Sequence, residues 1–142
     1  MIKVRKAQIA DAPKIAAAEQ AYIDCPWTEA QIKEEIVSPA AEFFVAETDG
    51  EFCGYVSAVI TADECELSNI AVTEKYRRNG VGRALLTALL NEVRISVKSV
   101  FLLVRDGNTP AIMLYTALGF IAVGVRKNYY KDKDALIMRL NL

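Results

Sequence analysis

Between Glu64 and Arg105 the hydrophobic pattern changes period twice, and this change restricts the available folds more than any other feature of the chain. The segment "ECELSNIAVT" reads as a strand bounded by turn signals. Leu85, Leu86, Leu89, Leu90 and Val93 then recur at the spacing of one helix face. "SVFLLVR" is a nearly all-apolar run, as expected of a buried parallel strand. A strand, a helix and a further strand in succession require a sheet with a helix packed on it.

The flanking segments extend this pattern. "MIKVRKA" reads as a short strand with outward charges. "DAPKIAAAEQAYI" reads as a helix with Asp11 at its N-cap and Pro13 in its first turn, and "TEAQIKEEIVS" as a second helix capped by Thr28 and ended by Pro39. "EFFVAETDGEFCGYVSAVI" gives two strands across a Thr48-Asp49-Gly50 turn. "NTPAIMLYTALGF" is a short helix stopped at Gly119, and "IAVGVRKNYY" and "DALIMRL" form a closing pair of strands around "KDKD". The order β-α-α-β-β-β-α-β-α-β-β predicts an α/β (α+β) fold, a mixed and mostly antiparallel sheet of about seven strands with helices on both faces. No repeat, linker or low-complexity tract divides the chain, so residues 1–142 are expected to form one domain.

Composition removes several classes of function. A net charge of -1 lacks the broad basic field that general nucleic-acid binding needs. No apolar run is long enough for a membrane span, and the N-terminal segment lacks a signal-peptide core, so a cytoplasmic location is expected. The chain has three scattered cysteines (Cys25, Cys53, Cys65) and no histidine. That set offers neither a disulfide framework nor a zinc site, and it excludes a Ser-His or Cys-His dyad. Acid–base work must therefore fall to carboxylates, tyrosines, cysteines, lysines or the N-terminus.

The stretch "YRRNGVGRALL" puts two glycines and a basic pair at the start of the leucine helix. Free N–H groups there, aided by the helix dipole, suit a phosphate. It is no Walker A loop, and Leu85 stands where a dinucleotide fingerprint needs a small residue. Taken alone, Gly80-Val81-Gly82 reads equally as a plain turn beside solvated arginines.

The wider context resembles the GNAT acetyltransferase superfamily over nearly the whole chain. The loop from Arg77 to Gly82 resembles the one that holds the pyrophosphate of acetyl-CoA in that family. "DCPWTEAQIKEEI", "NIAVTEKYRRNGVGRALL", "ALGF" and "NYYKDKDALIMRL" look like the RimI-type branch, which acetylates the N-terminal amine of a ribosomal protein. The resemblance implies contacts to acetyl-CoA from Ile70, Ala71 and Val72, from Arg77, Arg78, Asn79, Gly80, Val81, Gly82 and Arg83, and from Asn108, Ala111 and Tyr115. It implies no metal. The implied partner is a protein or peptide N-terminus, with the enzyme a monomer or weak homodimer and neither nucleic acid nor membrane involved.

The same resemblance implies roles at the reacting centre. Tyr115 would protonate the leaving thiolate, since a phenol of pKa near 10 is a suitable donor to a thiolate near 8.5. Read from the residues alone, Tyr115 is a helix-face aromatic packed in the core. An N–H between Ile70 and Val72 would hold the acetyl oxygen. RimI-type enzymes carry a glutamate in a strand reading Leu-Glu-Val-Arg, but this chain reads Leu102-Leu103-Val104-Arg105. Glu66 is the candidate replacement base, and it reads equally as a solvated strand-end carboxylate. An α-amine loses its proton roughly 3.5 kcal/mol more easily than a lysine, so an N-terminal acceptor tolerates a weak base. Trp27, Tyr129 and Tyr130 would wall the acceptor groove, or Trp27 would staple the first two helices with only one tyrosine facing the groove. A small-molecule or lysine acetyltransferase, or a non-catalytic acetyl-CoA-binding module, would share the cofactor half of this pattern.

Overall fold

The computed structural model describes all residues from Met1 to Leu142. Strand β1 (Ile2–Lys6) leads through a short 3-10 turn into α1 (Ala12–Tyr22) and α2 (Glu29–Ile36). β2 (Ala41–Thr48), β3 (Glu51–Thr61) and β4 (Glu64–Val72) follow, then α3 (Val81–Val93), β5 (Ser99–Arg105), α4 (Thr109–Ala117), β6 (Ile121–Tyr130) and β7 (Lys133–Asn141). The seven strands form one sheet in the order β1-β2-β3-β4-β5-β7-β6. Every pairing is antiparallel except β4 with β5. The expected mixed, mostly antiparallel sheet is therefore the fold observed.

Each face of the sheet carries its own core. On one face the leucines of α3 pack with Tyr115, Phe120 and the inward residues of β3, β4, β5 and β7. On the other, Ile15 of α1 and Ile32 of α2 pack with Phe43, Val45, Tyr55 and Ala71. α2 starts as expected, with Thr28 accepting from the Gln31 N–H and Gln31 returning the bond to the Thr28 N–H. α1 does not. Asp11 stands at its N-cap, but the carboxylate caps nothing in that helix. It accepts instead from the Gln8 N–H and from both terminal nitrogens of Arg5. The guanidinium holds the Asp11 carboxyl below its ordinary pKa, against the opposing effect of burial.

β5 corrects a second expectation. It runs parallel to β4 only from Ser99 to Phe101, beside Glu64 to Glu66, and antiparallel to β7 over its whole length. Its burial alternates rather than being continuous, with Val100, Leu102 and Val104 in the α3-side core. Beyond Glu66 and Phe101 the two strands have no register partners, so the sheet opens into a cleft between them. A bulge accompanies the opening: Ala58 pairs with Leu67 and Ser57 with Asn69, which leaves Ser68 as an extra residue of β4. Before it Cys65 and Leu67 pack toward α3; after it Ile70 and Val72 do, while Ala71 turns to the α1 side.

Candidate active site

The cleft has one wall made by the second half of β4. Thr73 donates its N–H to the Cys53 carbonyl, which marks that opposed pair as hydrogen-bonded. In an antiparallel ladder such pairs alternate, so Ala71 faces its partner Tyr55 on β3 while the N–H groups of Ile70 and Val72 point into the cleft. Of the three residues expected to offer an amide there, Ala71 is thus excluded and its neighbours remain. The Val72 carbonyl also points outward and accepts from Nε of Arg77 at 3.1 Å.

Above this wall the glycine loop enters α3. No protein group accepts from the N–H groups of Arg78 through Arg83. These donors cluster at the positive end of the α3 dipole. The two glycines serve different ends. Gly80 sits at φ +82°, with open space where a side chain would be, so its glycine permits the turn. A Cβ on Gly82 would stand 3.3 Å from Leu114 and 3.8 Å from Val72, so its glycine permits close packing of α3, α4 and β4. Only at Gly80 does the missing side chain leave open space beside the main chain. Arg78 is also left-handed, at φ +66°, and Asn79 steadies the loop through the Tyr76 and Arg77 carbonyls. Val81 is buried and contributes only backbone, whereas the Arg83 side chain is exposed.

The facing wall comes from β5 and α4. Asn108 caps α4 by accepting from the Ala111 N–H. One turn on, Tyr115 is only 5% exposed, with its ring 5.8 Å from that of Phe120. Its hydroxyl has no hydrogen-bond partner, yet no buried polar side-chain atom of the protein lacks one. The hydroxyl therefore reaches open space. Burial pushes the Tyr115 pKa above the ordinary phenol value, and the charge of Tyr130 would push it further.

On the opposite face of the sheet, alternation brings Glu66 to the same side as Phe101, Leu103 and Arg105. Glu66 is exposed, forms no ion pair and stands opposite Phe101 at the last paired position before the strands part. Leu103 is partly buried. Trp27 is 43% exposed and lies outside both buried cores. Tyr129 is exposed and Tyr130 partly buried, their rings edge-on at 5.1 Å. Burial raises the Tyr130 pKa, with Tyr129 adding to the shift and Arg105 opposing it.

Three residues absent from the expected site organise it. Glu19 of α1 is only 3% exposed; its Oε1 accepts from the Trp27 N–H, and its Oε2 from the Tyr55 hydroxyl and the Asn69 amide. Burial, and then the Glu19 charge, drive the Tyr55 pKa upward. Tyr22 accepts from the Glu74 N–H and lies 4.6 Å beneath the Arg77 guanidinium, which joins α1 to the glycine loop. Arg105 donates to Asp24 and Asp132. The signal for Glu19 was in the sequence: it follows Ile15 and Ala18 at helical spacing, an acid on an apolar stripe.

The acetyltransferase (GNAT) family matches residues 6–120. This chain belongs to the GNAT family. It is 33% identical to the [ribosomal protein bS18]-alanine N-acetyltransferase of Escherichia coli K12, covering 99% of this chain and 97% of that protein. It is 34% identical to an N-alpha-acetyltransferase of Sulfurisphaera tokodaii, covering 96% and 90%. The crystal structure of the E. coli ribosomal-protein-S18-alanine N-acetyltransferase superposes with a TM-score of 0.89 over 99% of this GNAT chain and 94% of that one, at 34% identity. No cluster of three or more His, Cys, Asp or Glu side chains in this GNAT protein is arranged to hold a metal, and no helix is long and apolar enough to cross a membrane.

Proposed function

We propose that this protein transfers the acetyl group of acetyl-CoA to the α-amine at a protein N-terminus, by direct attack of the amine on the thioester. The observation that carries the reading is the run of unpartnered donors along one side of the cleft: the amides of Ile70 and Val72, then those of the loop from Arg78 to Arg83. A string of N–H groups ending at a helix N-terminus suits a long ligand that is amide-like along its arm and carries a diphosphate at its end. Arg77, Arg78 and Arg83 add positive charge at the same place. Asn108 and Ala111, engaged with each other at the start of α4, would contact the ligand from the other wall.

The chemistry follows from groups in place. The amine nitrogen bonds to the acetyl carbonyl carbon, whose oxygen gains charge that the Ile70 or Val72 N–H stabilises. The C–S bond then breaks and the thiolate takes the proton of the Tyr115 hydroxyl, which solvent afterwards replaces. Burial keeps that hydroxyl protonated well above neutral pH, so the donor form is the resting form. The proton displaced from the amine passes to Glu66, directly or through one water, in place of the carboxylate that Leu103 cannot supply. Trp27, Tyr129 and Tyr130 line the approach of the acceptor chain on the far side of the sheet.

The relatives support the choice of acceptor, since those in E. coli and S. tokodaii are named for N-terminal acetylation. The deciding experiment offers short peptides with differing first residues, an internal lysine and a panel of small amines to the protein with acetyl-CoA. Mass spectrometry then separates α-amine from lysine products. Acetylation confined to the α-amine is expected; release of free thiol only with small amines would overturn the assignment.

A further inference from the structure

The segments flanking the acceptor side come from opposite ends of the chain, and one side chain joins them. Arg105, the last residue of β5, donates through Nη2 to Asp24 Oδ2 at 2.6 Å and through Nη1 to Asp132 Oδ1 at 2.5 Å. Asp24 lies in the connection between α1 and α2, three residues before Trp27, and Asp132 in the turn between β6 and β7, two residues after Tyr130. The guanidinium also lies 4.7 Å from the centroid of the Tyr130 ring. Arg105 thus touches both segments and one of their aromatic residues while standing on the strand that carries Leu103.

Fold stability gives little reason for this arrangement. The Asp24 and Asp132 side chains are 66% and 72% exposed, and ion pairs so open to water contribute little to folding. Neither carboxylate has a second ionic partner. What a planar guanidinium does supply is geometry. It holds two carboxylates in fixed directions while its flat face lies against an aromatic ring, a combination that a single ammonium does not reproduce. A contact of low energetic weight and high directional content, placed where two separate segments meet, sets position rather than stability.

We propose that Arg105 is a positioning residue that fastens the α1–α2 connection to the β6–β7 turn and so fixes the width of the acceptor groove. The proposal rests on the acetyl-transfer reading above and adds a residue to it. With the fastening intact, Trp27 and Tyr130 keep a constant separation when a peptide arrives. With it broken, the peptide must order both segments itself, and its apparent affinity falls while the bound geometry at the thioester is little changed.

The test separates fastening from general structural support. In Arg105→Gln the KM for the acceptor peptide should rise about tenfold, with kcat changed by less than about threefold, because uniform binding is what is lost. The KM for acetyl-CoA and the melting temperature should stay at wild-type values. Arg105→Lys should recover only part of the peptide KM, since one ammonium cannot reach both carboxylates with the same geometry. The Asp24→Asn/Asp132→Asn double variant should match Arg105→Gln, and combining all three should add nothing further. Hydrogen exchange supplies a readout independent of turnover: Asp132→Asn should accelerate exchange in residues 23–28, which do not contain the substitution. Exchange that quickens only around residues 128–133, or an unchanged peptide KM, would overturn the proposal. So would a parallel loss of acetyl-CoA affinity and melting temperature. If wild-type protein acetylates no peptide, the acceptor reading fails instead, and the exchange experiment alone decides whether the two segments are fastened.

Discussion

The donor side and the acceptor side of the cleft are built in opposite ways. The donor side is nearly continuous in sequence: residues 70 to 83 supply strand amides, loop and helix start, and their positions follow from backbone geometry. The acceptor side is gathered from α1, the α1–α2 connection, β5 and the β6–β7 turn, and side chains set its shape. Glu19 pins Trp27 and Asn69, Arg105 ties Asp24 to Asp132, and Tyr22 reaches across to Arg77. A surface made of backbone is hard to retune by substitution, whereas one made of side-chain ties changes with each of them. One scaffold can thus keep a fixed acetyl donor while its acceptor changes.

The sharpest challenge to this division is Tyr115→Phe, which removes the proposed proton donor and no backbone. Its kcat should fall about 10²-fold or more, with the affinity for acetyl-CoA retained by calorimetry. The wild-type rate should rise as the α-amine deprotonates near pH 7.8 and hold level to about pH 10, because the buried phenol stays protonated there. A decline between pH 8 and 10 that disappears in the phenylalanine variant would show that Tyr115 titrates in that range.

Glu19→Ala probes the acceptor side at its most buried point. It strips the Trp27 N–H, the Tyr55 hydroxyl and the Asn69 amide of their acceptor, so a loss of about 2–4 kcal/mol in denaturant unfolding is expected. Unchanged stability would mean that water replaces the carboxylate without loss. Gly80→Val tests the donor side in turn. A β-branched residue at φ +82° strains the turn by about 1–2 kcal/mol, and acetyl-CoA affinity should drop by roughly tenfold as the amides lose their aim. Glu66→Gln should slow peptide acetylation about tenfold near pH 6.5 and less at pH 9, where more of the amine is already neutral. A flat, wild-type profile removes Glu66 from the chemistry. The smallest effect is expected from Tyr22→Leu, a severalfold weakening of acetyl-CoA and peptide binding together. An effect on only one ligand would mean that the two sides are independent there.

What the sequence revealed follows the same division. The leucine stripe of α3, the Thr28 cap and the turn at Thr48-Asp49-Gly50 rest on local rules, and all three form as read. The glycine loop was legible because helix starts and bare amides leave a local mark. Asp11 stands at the N-cap as read, yet forms no capping bond, because Arg5, six residues earlier, takes its carboxylate. β5 read as a parallel strand and does pair so with β4, but only over three residues, because apolar content reports burial and not the direction of the other neighbour. Glu19 and Arg105 went unnoticed because their partners are distant in the chain, and no spacing rule links residue 19 to 69 or 24 to 105.

The unpaired residue at Ser68 gives β4 two parities. Odd-numbered side chains meet α3 before it and even-numbered ones after it, so Ala71 reaches the α1-side core while the N–H groups of Ile70 and Val72 point into the cleft. Deleting that one residue would leave composition, charge and hydropathy almost untouched. It would keep Asn69 opposite Ser57 and Ile70 opposite Val56, so both faces and both outward amides would survive, but the local bend that accompanies the parting of β4 from β5 would be lost.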